Sequence, residues 1–159
     1  MGGRAVALAL VVFSLGAAAC GSDGGQLSAR EFTRRAAATC ARADRRVSAV
    51  ALPPLGRKGT ARAMTRVIDI ERDALGELHE LQPPKALAAA VDEWLATVDQ
   101  LVVEAEFLRE SLRHGDRNLA QSIAIRAARL SLRSQVLATQ IGVTGCTVPT
   151  PPPIDPANE

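Results

Sequence analysis

The hydrophobic pattern is most regular between residues 84 and 113, where apolar side chains recur at alternating spacings of four and three. An apolar repeat of about 3.5 residues, sustained over several turns, is typical of a helix packed in a left-handed bundle seam. This stretch therefore predicts a long helix, with Trp94, the single tryptophan, at a core position. The repeat comprises Leu87, Val91, Trp94, Val98, Leu101, Ala105, Leu108 and Leu112.

Two amphipathic helices are predicted before this long one. The first begins at Ser28, because Ser28 and Glu31 match a capping box, in which each side chain bonds to the other residue's backbone amide. It ends before the pair Pro53–Pro54, since proline cannot continue a helix. The second begins at Thr60, which is predicted to cap it, and extends to about Leu81.

The long helix is predicted to start at Pro84, because proline is favoured at the first helical position. A His-Gly stop then leads into a fourth helix, capped by Asp116 or Asn118 and ended by Gly142. Short connections make consecutive helices antiparallel neighbours. The predicted fold class is therefore all-α, an up-down-up-down four-helix bundle over residues 28–146.

Residues 1–19 have the pattern of a signal peptide rather than of a folded element. Arg4 supplies a positive charge, the apolar stretch 5–13 follows, and small residues precede Cys20. Cleavage before Cys20, with lipid such as palmitate attached, would anchor the protein at the outer face of the cell membrane. Two alternatives stay open. Ordinary signal peptidase would release a secreted protein, or the apolar stretch would remain as a short uncleaved anchor.

Two segments border the predicted bundle. Residues 20–27 begin with the lipidation site, Cys20, and are rich in glycine, so we predict a flexible tether that keeps the bundle close to the membrane. Residues 147–159 contain five prolines and few side chains that a core would bury. Such a composition predicts an extended and mostly disordered tail.

The cysteines support the lipoprotein interpretation. The chain has three of them, and if Cys20 carries lipid, Cys40 and Cys146 remain as an even pair in an oxidising compartment. In an up-and-down bundle, the end of the fourth helix lies beside the first half of the first helix. We therefore predict a disulfide between Cys40 and Cys146 that ties the first helix to the last.

Composition argues against a nucleic-acid partner, because aromatic residues make up 3% of the chain and the net charge is +2. The charge is unevenly distributed, since the first and fourth helices are rich in arginine and the third is acidic. If the first and fourth helices lie side by side, their arginines would form a basic face toward anionic lipid headgroups or another protein. The alternative is an ordinary solvated surface. The candidate residues are Arg34, Arg35, Arg42, Arg45, Arg46, Arg126, Arg129 and Arg133.

No constellation in the sequence predicts catalysis, so we expect a protein that is not an enzyme. The helical serines have no strand-turn-helix elbow and no histidine nearby, and the early glycines belong to the tether rather than to a phosphate loop. Glu110 and His114 lie one helical turn apart and offer two metal ligands. Their spacing is Glu-x-x-x-His, and the sequence lacks the Glu-x-x-His motifs of bundle metal centres, so we expect surface residues, with no metal or other cofactor.

Four short motifs occur in order along the chain. They are Cys20–Asp23, Cys40 in the first helix, a Leu-x-x-Leu-x-Pro-Pro turn at 78–84, and a Gly-x-x-x-Cys ending at 142–146. In this order they resemble small actinobacterial lipoproteins of unknown function, over residues 20–146. The resemblance departs at Ala17, where leucine is usual. It implies the helical fold and the disulfide but no activity.

Two classes of function follow from the sequence. The first is a non-enzymatic lipoprotein of the cell envelope that presents a charged helical face to another protein. The second is a helical bundle that binds a small apolar molecule or a lipid between its helices. We expect the first, because the sequence does not show polar side chains converging on a pocket.

Overall fold

The computed structural model describes residues 25–146, apart from residues 56 and 58. Within these residues the secondary structure is helical and contains no strand, which confirms the predicted all-α class. The signal peptide, Cys20 and the tail 147–159 lie outside the described residues. None of the described helices combines the length and the apolarity needed to cross a membrane. The four helices are α1 (Ala29–Ser48), α2 (Thr60–His79), α3 (Ala88–His114) and α4 (Arg117–Gln140).

The start of α1 follows half of the predicted capping box. Ser28 accepts a hydrogen bond from the Glu31 amide at 3.2 Å. The Glu31 carboxylate, however, accepts from the guanidinium groups of Arg34 and Arg35 instead of returning to the Ser28 amide. Charge-assisted hydrogen bonds are stronger than neutral ones, which explains the preference. Hydrogen bonds from Arg34 and then Arg35 lower the pKa of Glu31 to about 2.

The cap of α2 differs from the prediction. Gly59, with φ of 94°, occupies the N-cap position, because glycine adopts this left-handed conformation without a steric penalty. Thr60 is the first helical residue, and its hydroxyl donates instead to the preceding loop, 2.9 Å from the Pro54 carbonyl oxygen. The threonine therefore fixes the α1–α2 loop onto the start of the helix rather than capping it.

The start of α3 also differs, since the helix begins at Ala88 and not at Pro84. The Pro84 carbonyl accepts from the Leu87 amide at 2.9 Å, which closes a separate turn before the helix. The start of α4 is as predicted, because the Asp116 side chain accepts from the Leu119 amide at 3.0 Å. Local turn chemistry thus sets the helix ends, while the apolar repeat sets the helices themselves.

Ion pairs between neighbouring helices show that consecutive helices run antiparallel. For each two neighbouring helices, the ion pair with the higher residue number on one helix has the lower residue number on the other. The pairs between α1 and α2 are Arg42–Glu77 and Arg46–Asp73, those between α2 and α3 are Arg72–Glu106 and His79–Asp99, and those between α3 and α4 are Glu104–Arg126 and Glu93–Arg133.

The core lies along the seam that the sequence predicts for α3. Trp94 and Val91 are each 1% exposed, and they join Phe32 of α1 and Ile68 of α2 in one apolar cluster. Complete burial of a large apolar side chain stabilises the fold by about 1.5–3 kcal/mol. The predicted core position of Trp94 is therefore confirmed.

The helices pack in series, and the first meets the last through the segment that follows α4. The Cα atoms of α1 and α4 do not approach within 8 Å of each other. Beyond α4, Val143 is buried, and Cys146 lies at disulfide distance from Cys40, with Cα atoms 4.9 Å apart. The predicted cysteine pair is confirmed, and it is the covalent link between the two ends of the bundle.

Loss of this link should weaken the fold. The double variant Cys40→Ser, Cys146→Ser opens a loop with a sequence separation of 106 residues. We expect its free energy of unfolding to fall by about 4–5 kcal/mol in the chain-entropy estimate. Urea unfolding, followed by Trp94 fluorescence, measures the change. The single variant Cys146→Ser should match the double variant. An unchanged urea midpoint would show that the crosslink adds no stability.

Candidate functional site

A partly enclosed cavity lies between the helices, with residues from all four of them and Cys146 in its lining. Its enclosed volume is about 70 Å³, and the space including its open mouth is about 620 Å³. One water needs about 10–15 Å³ of such enclosed volume, so the inner part has room for several waters or a small apolar group. The apolar lining residues are Ala43, Val47, Ala74, Leu75, Leu78, Val98, Leu101 and Val102, with the disulfide Cys40–Cys146.

Besides Asp44 at its mouth, three residues with polar side-chain groups belong to this apolar lining, and each comes from a different helix. They are Glu71 of α2, Trp94 of α3 and Ser134 of α4. Trp94 and Ser134 are each 1% exposed, yet the indole Nε1 and the serine Oγ have no hydrogen-bond partner among the described residues. An unpaired buried polar group costs about 1–3 kcal/mol, and native proteins contain few of them. Both atoms are themselves fully buried, so they lie behind the cavity surface and are not open to its space.

Glu71 gives the cavity its chemical character. Burial among apolar side chains raises the pKa of its carboxyl to about 7, because the ionised form loses its hydration. Asp44 of α1 is the other acidic residue in the lining, and it lies exposed at the mouth. Lysine, arginine and histidine do not contribute to the described lining. The cavity therefore has an acidic polar end without a compensating cation.

The sequence contains the signal for this carboxyl, although the sequence analysis missed it. The core positions Met64, Ile68, Leu75 and Leu78 of α2 are buried. Glu71 fits between them in the same alternation of four and three residues. A carboxyl at a core position is rarely retained without a partner, so this exception to the repeat was the informative feature.

Ser134 and Trp94 also lie on the apolar repeats of their helices, at positions that the sequence assigns to the core. Their positions are as predicted, but periodicity does not show whether a buried hydroxyl or indole finds a hydrogen-bond partner. That information depends on the tertiary structure, since a mid-helix serine usually bonds to a carbonyl one turn earlier. The two unpaired polar groups were therefore not predicted.

Most of the predicted basic face is engaged in ion pairs. Arg45 and Arg129 have no ion pair among the described residues. Because α1 and α4 do not approach each other within 8 Å, the two sets of arginines lie on separate helix pairs. A common face formed by both sets stays a prediction. The engaged residues are Arg34 and Arg35 with Glu31, Arg42 with Glu77, Arg46 with Asp73, Arg126 with Glu104 and Arg133 with Glu93.

The two-residue metal candidate forms a local surface pair. His114 Nε2 lies 2.9 Å from Glu110 Oε1, and Arg113 lies 3.2 Å from the other carboxylate oxygen. In the described part of the chain, histidine, cysteine and acidic side chains do not form a group of three or more able to hold a metal ion. Glu110 is therefore best described as part of the charged end of α3.

The outer side of α4 carries an apolar stripe that the sequence analysis did not predict. Ile125, Leu132 and Val136 are 50%, 63% and 57% exposed. Arg129 completes the helical spacing between them. We call these four residues the outer stripe. Its members do not contribute to the core, so they remain available for contact with another molecule.

Comparisons with known proteins found no match to a family profile, a curated protein or a solved structure. The resemblance to small actinobacterial lipoproteins therefore stays a prediction. The cavity and the outer stripe are features of the described residues that point to binding of another molecule.

The pKa of Glu71 predicts an unusual pH dependence of stability. The folded chain binds this proton more tightly, with a pKa of about 7 against an ordinary value of 4.5. The contribution of Glu71 to the free energy of unfolding is therefore fully present below the ordinary pKa of a glutamate. It is lost as the pH rises toward 7. The shift corresponds to about 3 kcal/mol. Glu71→Gln should remove this loss and be more stable than wild type at about pH 8, as measured by urea unfolding.

A matched control separates this effect from a general change in charge. Asp44→Asn removes the exposed carboxyl of the same lining and should leave the pH dependence unchanged. Parallel stability curves for wild type and Glu71→Gln between about pH 4.5 and pH 8 would contradict the assignment.

Proposed function

We propose that this protein is a non-enzymatic binding protein of the cell envelope, anchored by lipid on Cys20, that holds a small and largely apolar molecule in the cavity. The observation that carries the proposal is an apolar cavity lined by all four helices, with the carboxyl of Glu71 and no cation among its described lining residues. The function that the sequence analysis placed second is therefore placed first.

The composition of the lining supports a binding role. Small-molecule sites are mostly apolar, and a few polar groups orient the ligand in them. Apolar ligand surface that leaves water contributes about 25 cal/mol per Å². The apolar lining thus supplies affinity, and the polar groups supply specificity.

The position of the cavity suits a ligand that comes from a membrane. The Leu27 amide donates to the Gln82 carbonyl at 3.0 Å, so the start of the bundle lies beside the α2–α3 turn. Leu78 and Trp94, near this turn, line the cavity. A tether over residues 20–27 extends at most about 3.3–3.6 Å per residue, which would keep this end of the bundle near the lipid surface.

Native mass spectrometry of protein extracted from its own membrane in mild detergent tests the proposal. We expect the lipidated chain with a reproducible extra mass of a few hundred daltons that is shed on denaturation. Ala74→Leu fills the cavity and should lose this extra mass while keeping the lipid. Ala96→Leu, on the exposed side of α3, is the matched control and should keep both.

Two results would count against the two parts of the proposal separately. A mature chain that starts at Cys20 without added lipid mass would refute the anchor. A lipidated chain without any further mass would refute the bound ligand.

A second candidate function, interaction with another envelope protein, is favoured by the outer stripe. Its apolar residues surround Arg129, which has no ion pair among the described residues. This pattern fits an amphipathic partner helix that carries an acidic side chain opposite the arginine. In this second candidate, the interaction surface is the outer stripe of α4 and not the larger basic face that the sequence predicts.

A single substitution tests this second candidate. Leu132→Asp places a charge in the middle of the outer stripe and should abolish a second polypeptide seen with the chain in native mass spectra. Thr139→Asp, at an exposed position near the end of α4, is the control and should retain it. Equal recovery of the polypeptide with both variants would exclude the stripe as its binding surface.

A further inference from the structure

A second pocket, separate from the cavity, opens between the start of α2 and the end of α3. Its volume is about 470 Å³, within the range of about 300–1,000 Å³ that small-molecule sites occupy. Aspartate and glutamate do not contribute to its described lining, which therefore carries three positive charges and no negative one. We call this feature the basic pocket, and its lining residues are Arg62, Arg109 and Arg113 with Gly59, Ala61 and Thr65.

Ion pairs within the chain leave most of this charge uncompensated. Arg62 and Arg109 have no ion pair among the described residues, whereas most arginines of the predicted basic face have one. Arg113 lies 3.2 Å from a carboxylate oxygen of Glu110, but an exposed pair of this kind contributes only about 0–1 kcal/mol. Arg109 is partly buried, and its Nε has no hydrogen-bond partner in the described part of the chain. An anion in the pocket would relieve the repulsion between these like charges.

The ends of the two helices explain part of this cluster and not the rest. A helix C-terminus favours cations, which accounts for Arg109 and Arg113 in the last turns of α3. Arg62 lies instead in the first turn of α2, where the partial positive charge of the helix disfavours a cation. Its position beside two other arginines is therefore electrostatically unfavourable in the absence of an anion.

The start of α2 adds to the positive potential of the basic pocket. The N-cap residue Gly59 provides no side-chain hydrogen bond, and the first turn contains no acidic residue. Serine, threonine, aspartate or asparagine at this position would pair with the first amides of the helix, and glycine does not. Since the amides at a helix start bind anions, this end of α2 supports the three arginines rather than competing with them.

A phosphate monoester matches this arrangement in charge and in geometry. It carries a charge of about −1.5 to −2 at pH 7 and has three terminal oxygens that accept hydrogen bonds. Guanidinium groups bind such oxygens in pairs, because their N–H groups form a planar fork. A carboxylate brings one charge and two oxygens, so it would satisfy fewer of the donors that three arginines offer.

The position of the basic pocket favours a ligand in solution over a headgroup of the anchoring membrane. The Leu27 amide donates to the Gln82 carbonyl, so the proposed tether begins beside the α2–α3 turn. The basic pocket lies at the other end of α2, whose 20 residues extend over about 30 Å at about 1.5 Å per residue.

We propose that the basic pocket binds the phosphate group of a soluble phosphate monoester. Arg62, Arg109 and Arg113 supply the charge that recognises the phosphate, and the start of α2 adds its partial positive charge. Ala61 and Thr65 border the remainder of the molecule. This site is distinct from the cavity, so the inference goes beyond the proposed function.

Titration calorimetry with three probes of similar size tests the assignment, namely glycerol 3-phosphate, glycerate and glycerol. The titrations use the mature lipidated protein in a mild non-ionic detergent at low ionic strength. We expect glycerol 3-phosphate to bind, glycerate to bind about tenfold more weakly or worse, and glycerol to give no heat of binding. Added salt should weaken the binding of glycerol 3-phosphate, because it screens the attraction between charges.

Variants assign the binding to the arginines of the basic pocket. Arg62→Gln should weaken glycerol 3-phosphate about tenfold or more, and Arg109→Gln should do the same. Arg62→Lys keeps the charge but loses the planar fork, so it should bind less tightly than wild type and more tightly than Arg62→Gln. Arg45→Gln removes an exposed and unpaired arginine of α1 outside the lining, and it should bind as wild type does. Because Arg109 is partly buried, urea unfolding confirms that each variant is folded.

Reconstitution into vesicles separates a soluble ligand from a lipid headgroup. The vesicles consist of phosphatidylcholine alone, or with added phosphatidic acid, whose headgroup is a phosphate monoester, or with phosphatidylglycerol as the control for surface charge. Equal affinity for glycerol 3-phosphate in all three would support a soluble ligand. A loss of affinity with phosphatidic acid alone would show that membrane headgroups occupy the basic pocket, and the soluble ligand would be wrong.

Three results would overturn the phosphate site as a whole. They are no heat of binding with glycerol 3-phosphate, equal affinity for glycerate and glycerol 3-phosphate, or equal losses for Arg62→Gln and Arg45→Gln. None of them bears on the ligand proposed for the cavity, because the basic pocket and the cavity share no lining residue in the described part of the chain.

Discussion

The covalent link between Cys40 and Cys146 is the constraint on which the architecture depends. The four helices form a series in which α1 contacts α2 and α4 contacts α3, but the Cα atoms of α1 and α4 stay more than 8 Å apart. Such a series would leave one side of the bundle open. The segment after α4 returns to α1 and closes one end through the cysteine pair. The cavity lies along the seam that remains, so its existence follows from the serial packing.

The ion pairs contribute more to the relative orientation of neighbouring helices than to the stability of the fold. Exposed ion pairs between helices contribute about 0–1 kcal/mol each, so the core around Trp94 and Phe32 supplies most of the stabilisation. The pairs do mark the antiparallel orientation, because they join opposite charges at positions that run in opposite directions along consecutive helices. They also reduce the charge that the arginines present to solvent. Glu71, which lines the cavity, has no ion pair among the described residues.

The sequence predicts the fold better than it predicts the site. The apolar repeat predicts the four helices, because it depends on residue spacing alone. The cysteine count predicts the disulfide for a chain that reaches an oxidising compartment. The start of α3 at Ala88 was not predicted, because a turn closed by the Pro84 carbonyl competes with helix formation. The cavity was missed for a different reason. Its polar groups come from three helices, and whether they are paired is a property of the packed structure.

If the cavity binds a ligand as proposed, the disulfide in its wall ties ligand capture to location. The bond forms after a chain reaches an oxidising compartment, since cytosolic thiols are kept reduced. Before that, Cys40 and Cys146 are free, and the wall that they form is incomplete. If the proposed function holds, the chain leaves the cytosol empty and acquires its ligand where it is anchored. The protein would then act as a local receptor or reservoir and not as a carrier loaded at its site of synthesis.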